Sequence, residues 1–239
     1  MGLGKAAGVR AVKAGLGMAL VGALLAPGVA SAQESSIAEE QPEERRGSLE
    51  LSGSLGVLTP LSSLASLDVQ AVDTAVVVRS DLSTTVAFVA ELDYFFPNGL
   101  GIGVQGVYAG PDVTAQVVDT TAVPPAFVDL GTANYWAVSG NIMYRPHLTG
   151  PAALVTPYGA IGVGVRSLSF SQNGTLGLAN STDFMGTAAL GAIVDLADWI
   201  GLRGELRYNL SSYKSPLTGG SNLQNDIIVS VGATAKLIE

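Results

Sequence analysis

The chain has 239 residues, with 20 acidic and 12 basic side chains, a formal charge of −8, one histidine and no cysteine. That balance argues against a nucleic-acid partner, and the missing cysteine excludes disulfides, thiolate metal sites, cysteine nucleophiles and acylation at a cysteine. His147 alone is too little for a zinc or copper centre, and no cofactor is expected. Charged residues make up 13% and apolar ones 48%, against about a quarter charged in a soluble domain, so something other than water is expected to cover much of the surface.

Residues 1–32 read as a cleavable export signal: Lys5, Arg10 and Lys13 form a basic start, Ala14 to Ala26 an apolar run, and Ala30-Ser31-Ala32 a small-residue site with the cut before Gln33. The run is too short to favour a retained membrane helix. Gln33 to Gly47 is acidic, polar and almost without apolar side chains. It reads as a disordered tail, because it has too little apolar surface to offset the entropy of ordering.

From Ser48 onward alternation of apolar and polar residues replaces any helical stripe. Eight segments are predicted as strands: 48–57, 84–96, 100–109, 132–145, 156–167, 183–196, 199–210 and 226–238. Most reach or exceed the roughly nine to eleven residues of a tilted membrane-crossing strand, against about five or six for an ordinary strand. One face of each is free of charge, as in Val86, Phe88, Ala90, Leu92, Tyr94, Phe96 or Ile200, Leu202, Gly204, Leu206, Tyr208, Leu210. The other face collects Glu50, Glu91, Asp93, Arg145, Arg166, Asp195, Arg203, Glu205, Arg207 and Lys236, five acids and five bases.

Alternation does not say which face points inward. A soluble barrel would put the apolar face inside. Strand length, the balanced signs of the charged face and the aromatics near strand ends (Tyr94, Phe96, Tyr108, Tyr144, Phe184 and Tyr208) favour the inverse, with a charged lumen and a lipid-facing apolar band girdled by aromatics. The reading is all-β: an eight-stranded antiparallel up-and-down transmembrane β-barrel over 48–239. Short connections after strands two, four and six alternate with long ones at 58–83, 110–131, 168–182 and 211–225. Short turns then share the periplasmic rim, with both termini, and long loops lie outside the cell.

The segments Tyr94-Phe95-Phe96-Pro97-Asn98-Gly99-Leu100-Gly101-Ile102-Gly103, Pro157-Tyr158-Gly159-Ala160-Ile161-Gly162-Val163-Gly164 and Leu202-Arg203-Gly204-Glu205-Leu206-Arg207-Tyr208 resemble the small eight-stranded outer-membrane barrel family, the OmpA/OmpX/OmpW-like group of porin-type domains. The resemblance spans about 48–239. It implies a bacterial outer-membrane address, contact with outer-membrane lipids, and dependence on barrel-assembly machinery and periplasmic chaperones during biogenesis. Such barrels usually end in an aromatic residue. Here Leu237 occupies that place in Lys236-Leu237-Ile238-Glu239.

The candidate chemistries are few. Arg203, Glu205 and Arg207 share a face and suit either an ion gate or a filling network; the narrow bore of eight strands favours filling. Glu91 and Asp93 have the spacing of an acid–base pair, yet bases lie across the lumen to neutralise them. His147 sits in a turn without an evident serine partner. In loop one, Leu58, Leu61, Leu64 and Leu67 have roughly helical spacing, and Val76-Val77-Val78 could extend a strand. This loop either binds something apolar or, in the preferred reading, folds over the barrel mouth. Asp68, Asp73, Asp81, Asp112, Asp119 and Asp129 make the first two loops acidic without a calcium-loop spacing. The expectation is a non-enzymatic structural or surface-interaction barrel with an unknown loop ligand. The alternatives are a narrow channel for small or hydrophobic solutes and, third, a lipid-modifying enzyme.

Overall fold

The computed structural model describes residues 47–71, 74–119, 126–148, 154–171, 178–214 and 221–238. The expected signal with its cleavage residues Ala30, Ala32 and Gln33, the tail before Gly47, and Asp73 lie outside them. The described residues form eleven strands: β1 (Ser48–Pro60), β2 (Ala65–Ala71), β3 (Thr74–Leu82), β4 (Thr85–Phe95), β5 (Leu100–Ala109), β6 (Asp112–Asp119), β7 (Ala126–Tyr144), β8 (Val155–Phe170), β9 (Ser181–Ala197), β10 (Ile200–Lys214) and β11 (Ser221–Ile238).

Eight of them close into an antiparallel barrel. The cyclic order is β1, β4, β5, β7, β8, β9, β10, β11 and back to β1. Closure leaves no unpaired edge within the ring, which is what a β structure needs in lipid. One end carries the short connections and both strand termini: Ser48 lies opposite Phe95, and Leu49 opposite Ile238. At that end Gly99 turns with φ of 82°. Its amide donates to the Phe96 carbonyl (3.0 Å), and the Arg145 amide donates to the Gly99 carbonyl (2.8 Å). A side chain at position 99 would collide with the Arg145 carbonyl, so glycine is required by both backbone and neighbour.

The alternation sorts the two faces as the membrane reading requires. Leu55 (58%), Ile161 (66%) and Val163 (75%) are exposed on the outside, while Arg203 (2%) and Glu205 (6%) are buried within. A soluble barrel would show the opposite distribution, and that alternative is dismissed.

Three strands fall in stretches read from sequence as loops. β2, β3 and β6 pair in series and add onto the first part of β7, making a second sheet at the long-loop end. β7 therefore starts earlier than expected. It pairs with β6 over Ala126 to Thr132 and with β5 from Tyr135 to Tyr144. The change of partner lies beside Gly131, at φ of 83°, whose amide donates to Asp129 Oδ1 (2.8 Å), with a register shift against β6 between Asp112 and Thr114. An extra residue with left-handed backbone is the usual device for bending a strand away from its ladder. The helical spacing of Leu58, Leu61, Leu64 and Leu67 does not make a helix: Leu58 lies within β1 and is buried, Leu61 is exposed, Leu64 is buried just before β2, and Leu67 lies in β2.

A large apolar cluster fills the loop end of the lumen and runs up under the second sheet. It includes Leu58, Leu64, Leu82, Val89, Val107, Val113, Leu130, Tyr135, Leu168, Phe170, Leu178 and Tyr213. A smaller one near the short turns holds Phe95, Met143, Tyr158, Ala160, Ala189 and Ile193.

Candidate functional site: the ion network across the lumen

Between the two apolar clusters lies a compact polar network. Arg203 projects from β10 into the bore because it occupies the inward phase of a period-two strand, as do Glu205 and Arg207. Its Nη1 donates to Asp93 Oδ2 on β4 (2.6 Å) and its Nη2 pairs with Glu91 on β4 and with Glu205 Oε2 (3.1 Å). Arg203 Nε donates to the Tyr158 hydroxyl on β8 (2.6 Å), and that hydroxyl donates to Glu205 Oε2 (2.7 Å). Arg207 Nε donates to Glu205 Oε1 (2.8 Å), Nη2 lies 3.7 Å from Glu91, and Nη1 reaches Asn141 Oδ1 (3.3 Å) on β7 and Thr187 Oγ1 (3.2 Å) on β9. Gln105 on β5 donates to Glu91 and to Glu205 Oε1 (3.3 Å). With Ser52 on β1, which accepts from Arg203 Nη1 (3.4 Å), side chains from seven of the eight barrel strands meet near one axis, and every charged member is buried.

The network is held open by glycines. At Gly103, Gly162 and Gly191 an added methyl would strike Asp93, Asn141 and Tyr158 respectively. Small residues on neighbouring strands give the long polar side chains the volume they occupy.

The remaining sequence-predicted residues stand apart from this centre. Glu50 pairs with Arg145 (2.7 Å) closer to the short turns, and the Arg145 guanidinium stacks 3.8 Å from the Phe95 ring centroid. Lys236 lies 3.5 Å from Asp195, both partly exposed near the short-turn rim. Arg166, fully buried, sits among the loop-end apolar residues, 3.4 Å from Asp226 and 3.9 Å from Asp183. The aromatic residues divide by height: Tyr94, Phe96 and Tyr144 are exposed near the short turns, while Tyr108 and Phe184 are exposed near the loop end and Tyr208 between. Tyr94 and Phe96 rings meet edge to face, 5.0 Å apart. His147 is exposed, with Nε2 2.9 Å from the Pro97 carbonyl.

Sequence reasoning missed Tyr158, Gln105, Asn141 and Thr187, because only formally charged residues were followed; each shares the inward phase of its own strand. Asp183 and Asp226 are the first residues of the predicted strands 183–196 and 226–238 and share their inward phase, yet the sequence reading leaves both off the charged face.

A family model described as outer membrane protein beta-barrel domain matches residues 18–234. No curated protein matches this sequence. Among solved structures, the outer membrane protein OprG from Pseudomonas aeruginosa is similar over 82% of this chain and 98% of its own, at 15% identity and a TM-score of 0.56. Neisserial surface protein A is similar over 80% of this chain and 97% of its own, at 11% identity and a TM-score of 0.47. With a closed eight-stranded barrel, an apolar exterior and a family match across nearly its whole length, this chain belongs to the outer-membrane β-barrel protein family.

Proposed function

We propose that the protein is a closed, non-enzymatic outer-membrane barrel with a structural or surface-interaction role, carried by the sheet of β2, β3, β6 and the start of β7 outside the cell. The observation that carries this reading is the lumen itself. Arg203 on β10 reaches partners on β4 and β8, so its guanidinium lies across the bore, and a second plug of apolar side chains lies above it. Eight strands leave a bore just wide enough for side chains, and both levels are occupied. The sheet at the loop end shares an apolar core with the barrel: Leu64, Leu82, Val113 and Leu130 cluster with Ala87, Val107 and Tyr135. A sheet fixed this way offers a surface of defined shape to a partner.

The test is conductance of the refolded chain in planar bilayers. The expected result is no discrete channel openings. Steady openings in the wild-type chain, altered by Arg203→Ala or Glu205→Ala, would replace this reading with that of a narrow channel. Export through residues 1–32 belongs to the same proposal, and N-terminal sequencing of the membrane-inserted protein is expected to begin at Gln33.

A further inference from the structure

The outer wall contains glycines that the barrel itself does not require. At Gly53 on β1 and Gly106 on β5 an added methyl would meet nothing within 4 Å. Neither has a positive φ; among the described residues only Gly99 and Gly131 do. Glycine weakens a strand interior through entropy and lost packing, and beside a cleft it leaves the backbone open to close approach by another group. Among the described residues nothing approaches these two.

They lie side by side in register. Gly53 pairs with Ala90 on β4, and Ala90 with Gly106. The three form the floor of a cleft of about 720 Å³ in the outer face. Leu55, Phe88, Tyr108 and Trp136, all exposed, rise beside it toward the loop end. Toward the short turns the next outward row is Leu51, Leu92 and Val104, also exposed. No charged residue lines the cleft. At its loop-end margin the Tyr108 hydroxyl donates to Asn134 Oδ1 (3.3 Å), which gives the aromatic wall a polar tip of the kind that settles at a membrane interface.

We propose that this cleft seats an acyl chain of a membrane amphiphile, held lengthwise against the Gly53–Ala90–Gly106 floor with its polar end toward Tyr108 and Asn134. The surrounding face is the hydrocarbon-facing surface of a membrane barrel, and the cleft is continuous with it. Its volume falls within the roughly 300–1,000 Å³ of small-molecule sites. A second copy of the chain fits less well. The exposed walls of Leu55, Phe88, Tyr108 and Trp136 hold a second convex barrel away from the floor.

Native mass spectrometry of the refolded chain, released from dodecyl maltoside supplemented with dimyristoyl phosphatidylcholine, tests this. Wild type is expected to retain one lipid. Gly53→Leu/Gly106→Leu, which fills the cleft from two positions where a Cβ meets nothing within 4 Å, is expected to lose it. Gly204→Leu, at another outward glycine with nothing within 4 Å, is expected to keep it. Three results overturn the proposal: no retained lipid in wild type, equal retention after filling, or a wild-type dimer that the filled variant abolishes. If the filled variant does not fold, the single-tryptophan chain Trp199→Phe decides. In dimyristoyl phosphatidylcholine vesicles doped with brominated-chain phosphatidylcholine, Trp136 fluorescence is expected to be quenched more than that of the complementary Trp136→Phe chain, which reports Trp199. Equal quenching counts against the cleft.

Discussion

The two halves of the lumen are filled by different physics. Near its centre the polar contacts are short and multiply shared: Arg203 to Asp93 at 2.6 Å, Arg203 to Tyr158 at 2.6 Å, Tyr158 to Glu205 at 2.7 Å, Arg207 to Glu205 at 2.8 Å. Toward the loop end Arg166 meets Asp226 at 3.4 Å and Asp183 at 3.9 Å, and the Tyr135 hydroxyl meets Asp226 at 3.4 Å. There Arg166 Nε, Ser211 Oγ, Gln224 Oε1 and Asp226 Oδ1 have no hydrogen-bond partner among the described residues. The central half is held by directional charge-assisted bonds. The loop half is held by apolar packing, with one loosely made ion cluster embedded in it. A barrel filled in this way places its most position-sensitive interactions within the membrane and leaves the end that joins the outer sheet to the more forgiving rules of packing.

The largest expected effect comes from breaking the central half at its hub. Arg203→Met leaves Glu91, Asp93 and Glu205 around a buried site with Arg207 as the remaining guanidinium. Removing one partner of a buried ion network costs about 3–5 kcal/mol. Urea unfolding in phosphatidylcholine vesicles, followed by tryptophan fluorescence, is expected to show that loss. A change below about 1 kcal/mol would mean that water replaces the arginine freely, and the two halves would then not differ as described.

Packing in the loop half is tested by Leu168→Ala. Leu168 is fully buried in the apolar cluster and pairs in register with Tyr135 and Ser181. A leucine-to-alanine cavity in a packed core costs about 2–5 kcal/mol, and a value near 3 kcal/mol, just below that for Arg203→Met, is expected in the same assay. Protease cleavage between β2 and β6 in the folded variant is expected to rise with it, because Leu64, Leu82 and Val113 share that core. Unchanged cleavage would separate the sheet from the barrel energetically.

How much of this the residues announce depends on which force acts on each segment. The eight barrel strands are legible because hydrocarbon tolerates no charge on one face, so Val86 to Phe96 or Ile200 to Leu210 declare both their period and their outward phase. β2, β3 and β6 lie at the loop end, where charge is permitted; they are short, at 7, 9 and 8 residues, Asp68, Arg79 and Asp81 fall within them, and Val76-Val77-Val78 is a run rather than an alternation. The leucines from Leu58 to Leu67 mimic a helix because a strand end, a bend and a new strand happen to place them at similar intervals. Inward phase is legible for Arg203 and Asp93. Their 2.6 Å contact is not, since it joins residues 110 apart in the chain and depends on the strand offset that closure imposes. The isolation of Arg166 likewise depends on its height along the axis. Inward and outward glycines are both small on the page, and only the neighbours show that Gly191 makes room for Tyr158 while Gly53 faces out of the barrel.

The smallest expected effect sharpens the account of the centre. Glu91, Asp93 and Glu205 face Arg203 and Arg207, three carboxylates against two guanidiniums, in a space from which water is largely excluded. Like charges at such a distance are costly in low dielectric. Glu91 lies between both arginines and also accepts from Gln105. Glu91→Gln equalises the two signs while keeping the shape and one acceptor oxygen for Arg203. Its loss of a charge-assisted bond is offset by relief of repulsion from Glu205 and Asp93, so the change is expected within about 1 kcal/mol of wild type. Unfolding in vesicles, run beside Arg203→Met, measures the difference between the two. If Glu91→Gln proves as damaging as Arg203→Met, the network needs all three negative charges at once, and an additional cation in the bore would have to balance them.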